Sequence, residues 1–206
     1  MPEQTRAGRR RSAAPSKGDL REQRILDGLA ELLAAKGFDA LTINDLAERA
    51  GISRASTYFY FSSKQEALVA LFARTIEALR EKSRAAAGDP AEPEDAIATA
   101  MTRTRDRWHE HGLVMRAAID QSPAIPELAA LWQETADIFV DAIATILVRA
   151  GADAGDGPGG AQAVARALCW MVERTFYHAS AQSPEALDQA SETCRVVWLR
   201  TAGLER

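Results

Sequence analysis

The sequence predicts an all-α protein of about nine helices: a three-helix module at the amino-terminal end, joined through a fourth helix to a larger helical domain. Three observations carry this. Apolar residues recur at helical spacing along most of the chain, no stretch alternates as a half-buried strand does, and capping residues, Gly and Pro fall at the ends of the periodic runs. With 206 residues, 47% of them hydrophobic, the chain can bury one sizeable core beside a small appended module.

The first 18 residues carry Arg6, Arg9, Arg10, Arg11 and Lys17 among Pro, Gly, Ser and Ala, and read as a flexible basic arm. From Asp19 onward Ile25, Leu29, Leu32 and Leu33 share a helical face, and Gly37 ends the run, so a first helix is expected over 19–36. Thr42 is placed to cap a short helix whose Ile43, Leu46, Ala47 and Ala50 face one way. Gly51 breaks that helix and Ser53 caps the next. Two short helices, about 43–50 and 54–60, thus meet at a tight turn. Ser63 and Glu66 stand at capping-box spacing ahead of the stripe Leu68, Leu71, Phe72, Ile76 and Leu79, giving a fourth helix over 63–86. Gly88-Asp89-Pro90-Ala91-Glu92-Pro93 interrupts the pattern. Further helices are expected at about 93–110, 111–120 and 125–150, the last with Trp132, Ala136, Phe139, Ile143 and Ile146 on one face. Residues 151–160 contain five glycines and one proline, an exposed loop. Helices eight and nine follow at about 161–181 and 184–202. The expected division is an arm at 1–18, a reading module at 19–66 and a larger domain at 67–206.

Two short helices around a tight turn make a helix-turn-helix, in which the first helix braces the second in the major groove of DNA. Charge agrees with that use. Residues 1–84 hold 15 Lys/Arg against 11 Asp/Glu, whereas residues 85–206 hold 10 against 18. The net charge of −4 therefore hides a basic end able to face a polyanion, since screening confines phosphate attraction to local charge. No run of about 18 apolar residues exists to span a membrane, and the start lacks the apolar stretch of a signal peptide, so the expectation is a cytoplasmic protein with no membrane partner. Cys169 and Cys194 are too few for a disulfide framework and read as reduced core thiols, with a redox switch as the alternative.

Gly51-Ile52-Ser53, Tyr58, Tyr60, Phe61, Lys64 and Leu68 stand at the spacing of a known signature, and over about 45 residues the amino-terminal module resembles the TetR family of repressors. The resemblance implies that Ser53, Arg54, Ser56, Thr57, Tyr58 and Tyr60 face DNA, with Thr42 and Lys64 touching phosphates. The residue types suit this, because hydroxyls bond phosphate oxygens and an arginine can reach a guanine edge. Family members usually carry an apolar residue where Thr57 stands, so that position also reads as core; Phe61 reads as core outright. The cluster Arg9-Arg10-Arg11 suits a minor groove, a phosphate track or a solvated tail.

Leu131-Trp132, Glu173-Arg174-Thr175 with the following aromatic pair, and Trp198 extend the likeness to the EthR-type branch of that family. This resemblance implies an apolar channel for elongated hydrophobic effectors. Matching positions are Met101, Thr104, Trp108, Trp132, Ala136, Phe139, Ile143, Cys169, Val172, Glu173, Phe176 and Trp198. Glu173 also suits an ion pair or a helix cap. Cys169 and Val172 replace two asparagines that bond ligands in that branch, so the effector here is expected to be less polar or anchored differently.

The implied function is a homodimeric repressor that pairs through helices eight and nine, binds a palindromic operator in double-stranded DNA and is released by a hydrophobic small molecule. Two alternatives stay open: a small-molecule carrier with a vestigial helix-turn-helix, and an activator or co-repressor-dependent regulator. No cofactor or metal is expected. His109 and His111, two apart on a helix, do not share a face for one ion. Gly155, Gly157 and Gly160 match a dinucleotide spacing but follow a helix where the fingerprint needs a strand. No nucleophile elbow or Cys-His pairing suggests an enzyme.

Overall fold

The computed structural model describes residues 16–86 and 91–204, and only the backbone at 78, 79 and 81–86. Eight helices make up the described residues, with no strand: α1 Lys17–Lys36, α2 Ile43–Ala50, α3 Arg54–Tyr60, α4 Lys64–Ala86, α5 Pro93–Gln121, α6 Pro126–Arg149, α7 Ala161–Ser180 and α8 Pro184–Thr201. The count falls short of nine because the helices expected at 93–110 and 111–120 are one continuous α5. Gly112, buried within it, ends nothing. A Cβ there would stand 3.4 Å from the Ser180 Cβ, an ordinary packing distance between α5 and α7.

Helix α1 starts earlier than expected, inside the presumed arm. Ser16 and Asp19 form a capping box in which Asp19 N–H donates to Ser16 Oγ at 3.1 Å and Ser16 N–H to the Asp19 carboxylate at 2.8 Å. Residues 1–15 of the arm, the Leu79 side chain and the break at 88–90 lie outside the described residues. At α4 the expected capping box is split. Glu66 N–H donates to Ser63 Oγ, but the Glu66 carboxylate reaches one residue further back, to the N–H and Oγ of Ser62 at 2.7 and 2.6 Å.

Two apolar cores organise the chain. The first joins α1 to α4 with the carboxy-terminal end of α5 and the start of α6, around Ile25, Leu29, Leu46, Leu68, Leu71 and Phe72. The second lies among α5 to α8, around Ile97, Trp108, Val140, Leu147, Phe176 and Trp198. Trp132 of α6 packs against both. Cys169 and Cys194 are buried free thiols, and burial pushes the Cys169 thiol up to about 12, far from reactive thiolate.

The reading helices are too short to hold themselves, and polar ties set their placement. Asp45 accepts from Thr42 N–H at 2.7 Å and from Thr42 Oγ1 at 2.8 Å, and pairs with Lys36 of α1 at 2.6 Å. Bonds from Lys36 and Thr42 hold its carboxyl at about 2, below the ordinary 3.8. Because the folded value is depressed, its stabilisation is complete above the unfolded value and is lost as pH falls through the folded one. Asp45→Asn is expected to lower stability at neutral pH and to flatten the acid limb between about pH 4 and 2. Urea titrations across that range check this, and identical acid limbs would contradict it.

Candidate functional site

Helix α3 is built to be read from one side. Ser53 caps it, its Oγ accepting from Ser56 N–H at 3.1 Å and lying 2.8 Å from Ser56 Oγ. Gly51, at φ 66° and ψ 36°, supplies the left-handed residue that turns α2 into this cap. Arg54 is exposed, stands over the Tyr58 ring and donates to Tyr58 Oη at 3.3 Å, so the two side chains support each other one turn apart. Ser53 and Tyr58 are exposed, and Ser56 and Tyr60 half-buried. Phe59, 83% exposed, was not among the expected surface residues, though its place between Tyr58 and Tyr60 put it one step along the same helix.

Two of the expected DNA-facing residues sit differently. Thr57 is fully buried, its hydroxyl donating to Ser53 O at 3.2 Å, so it belongs to the core beneath α3 and cannot face DNA. Lys64 donates its ammonium to Phe38 O and Asp39 O, both at 3.0 Å, and stands over the Phe38 ring. It ties the start of α4 to the turn after α1, and a third N–H remains for an outside acceptor. Thr42 is exposed at the start of α2. Phe61 is buried.

The second site is a cavity of about 160 Å³ between α5, α6, α7 and α8. It brings together Met101, Thr104, Trp108, Trp132, Ala136, Phe139, Ile143, Cys169, Val172, Glu173 and Trp198. Phe176 is the exception: it is fully buried and lies behind Trp108, ring centroids 6.4 Å apart, in the layer outside the wall. Other wall residues extend stripes visible in the sequence. Ile146 continues Ala136, Phe139 and Ile143 on α6, and Met115 continues Met101, Thr104 and Trp108 on α5. Arg103 and Arg107 also line it and were not anticipated.

Several polar groups in the wall are already bonded. The Thr104 and Thr135 hydroxyls donate to Ala100 O and Leu131 O of their own helices. Arg107 pairs with Glu110 at 3.4 Å. Glu173 differs: its side chain is 11% exposed, its Oε2 lies 3.9 Å from Arg174 Nε, and its Oε1 is buried with no bonding partner. Burial pushes its carboxyl above the usual range. Trp198 Nε1 is likewise buried without a partner.

Comparison with known proteins places these features. Residues 25–71 match the model of bacterial regulatory proteins of the tetR family, and residues 97–202 match that of the carboxy-terminal domain of the transcriptional regulator EthR. The chain belongs to the tetR family, in its EthR branch. This regulator is 34% identical over 204 residues to the HTH-type transcriptional regulator EthR of Mycolicibacterium smegmatis, covering 96% of this chain and 93% of that one. It is 31% identical over 196 residues to EthR of Mycobacterium tuberculosis H37Rv, covering 92% and 90%. A solved TetR-like regulator from Rhodococcus sp. RHA1 shares the fold at TM-score 0.70 and 21% identity, with 94% of this chain and all of that one covered. The regulator is a DNA-binding protein of helix-turn-helix type, and no described helix is long and apolar enough to cross a membrane.

The burial of Thr57 makes a direct prediction. Thr57→Val removes one buried hydroxyl bond, so stability is expected to fall by about 1 kcal/mol while affinity for operator DNA stays within about twofold of wild type. A large loss of affinity from a folded variant, in a titration against DNA, would return Thr57 to the reading surface.

Proposed function

We propose that this regulator represses transcription as a homodimer, reading a palindromic operator through α3 and leaving it when a hydrophobic effector enters the cavity. The observation that carries the proposal is Trp132. Its indole lines the cavity and packs against Phe72 of α4 with ring centroids 5.3 Å apart, so one rigid ring touches both the sensing and the reading core. An effector that displaces Trp132 must shift α4, because close-packed interiors transmit displacement instead of absorbing it. Arg80 of α4 and Glu134 of α6, 3.2 Å apart, form a second link between the same helices.

In this reading Ser53, Arg54, Ser56, Tyr58 and Tyr60 face DNA, joined by the exposed Phe59, whose ring suits a thymine methyl. Thr42 and the remaining N–H of Lys64 meet phosphates. The reading module covers 19–66, and the rest of the chain senses and pairs. Pairing through α7 and α8 rests on their outer faces. The sequence offers Val164, Leu168, Leu187, Val197 and Leu199 as apolar residues beyond what one cavity uses; the three leucines are buried within the protomer, and Val164 and Val197 are half-buried. Ala163, Ala167, Met171 and Val196 remain exposed or half-buried and supply the apolar face. Two copies read successive major grooves when their recognition helices stand about 34 Å apart, and a hundredfold release needs an effector preference of about 2.7 kcal/mol for the released arrangement.

The central experiment is a titration of the intergenic DNA upstream of its own gene, with and without apolar effectors. Salt-sensitive binding lost in Tyr58→Ala and relieved by an effector supports repression and induction. Binding that Tyr58→Ala leaves untouched would overturn the assigned surface. Coupling has its own test in Phe72→Leu, which alters the relay without touching the cavity. Effector affinity is expected to stay within about threefold, while effector-driven release of DNA weakens about tenfold or more. Undiminished release would show that the signal takes another route.

A further inference from the structure

Two residues that line the cavity, Glu173 and Trp198, each carry a buried polar atom that no protein group bonds, and the two are of opposite kind: Glu173 Oε1, an acceptor, and Trp198 Nε1, a donor. Helices α7 and α8 pack together and bring both into one wall. An unbonded buried polar atom is costly, and two beside one cavity are rare enough to require a reason. The Thr104 and Thr135 hydroxyls spend their hydrogens on backbone carbonyls of their own helices, so they do not duplicate this pair.

Resting on the reading of this cavity as the effector site, we propose that the effector carries a neutral amide group. Its N–H donates to Glu173 Oε1 and its carbonyl accepts from Trp198 Nε1. A carboxylate headgroup has no hydrogen to donate to Glu173 Oε1 and is repelled by that carboxylate at close range, whatever attraction Arg103 and Arg107 exert from elsewhere in the wall. An ammonium would meet Arg103 and Arg107 in the same wall and the Arg174 guanidinium beside the other carboxylate oxygen. A ketone or ester satisfies the indole and leaves the carboxylate oxygen unbonded. The amide serves both atoms while its alkyl part occupies the apolar wall of Phe139, Ile143 and Met101.

The test compares three probes on the full-length dimer by calorimetry: octanamide, octylamine and heptyl methyl ketone, which matches octanamide in size with a methyl in place of the amide nitrogen. Octanamide is expected to bind about tenfold or more tightly than either of the others. Glu173→Met, which keeps the bulk and removes the acceptor, is expected to abolish the preference over the ketone while leaving ketone affinity unchanged. Trp198→Phe is expected to weaken octanamide and the ketone alike and octylamine little. Equal binding of octanamide and ketone to the wild type, or an amide preference that survives Glu173→Met, overturns the amide anchor and leaves the cavity standing. Binding of none of the three overturns the effector cavity and the anchor with it.

Discussion

The contact between Trp132 and Phe72 is the constraint on which the rest of this protein depends. A helical chain of this length can bury its apolar stripes in one body, yet here they separate into two cores that share few residues. Trp132 belongs to the boundary of both, on a helix that packs along α4 and α7. A flexible aliphatic side chain at that place would absorb a displacement by changing rotamer. An indole against a phenyl ring, tilted 32° and nearly in contact, has no such freedom. The two cores therefore keep separate packing and share one rigid aromatic contact.

The reading module depends on polar bonds to an unusual degree for so small a unit. Helices α2 and α3 have eight and seven residues, lengths at which helix formation in isolation is unfavourable. Their ends are fastened by Thr42 with Asp45, by Gly51 and by Ser53, and Asp45 and Lys64 carry the fastening outward to α1 and to the turn that follows it. The same small side chains define where α3 begins and how it is aimed. Specificity of placement here comes from hydrogen-bond geometry, with hydrophobic burial beneath it supplying the stability.

Legibility in the sequence followed the range of the interactions involved. The bounds of α2 and α3 were readable because Thr42, Gly51 and Ser53 act on their immediate neighbours. The helices expected at 93–110 and 111–120 proved to be one, because the contacts that hold α5 continuous come from distant elements, Ser180 of α7 beside Gly112 among them. Thr57 carries a polar group that its own helix satisfies through Ser53 O, so a hydroxyl could stand where the fold wants an apolar residue. The cavity wall was legible where family resemblance and helical stripes coincided, and failed at Phe176, which shares the stripe but lies one layer deeper. The unbonded state of Glu173 Oε1 and Trp198 Nε1 has no sequence signal, since it records partners that three-dimensional packing fails to provide.

If the cavity is the effector site, its modest volume sets how the protein discriminates among apolar molecules. At about 160 Å³ it is close to the size that accommodates a single benzene ring. On the proposed reading, a molecule too long for this volume needs further space between α5 and α8, and its apparent affinity falls in proportion to how seldom the helices provide it. Each added methylene returns about 0.8 kcal/mol, whereas opening is a fixed cost. On the proposed reading, response would therefore rise with chain length from a threshold, and small solvents that fit the existing volume would occupy it without signalling.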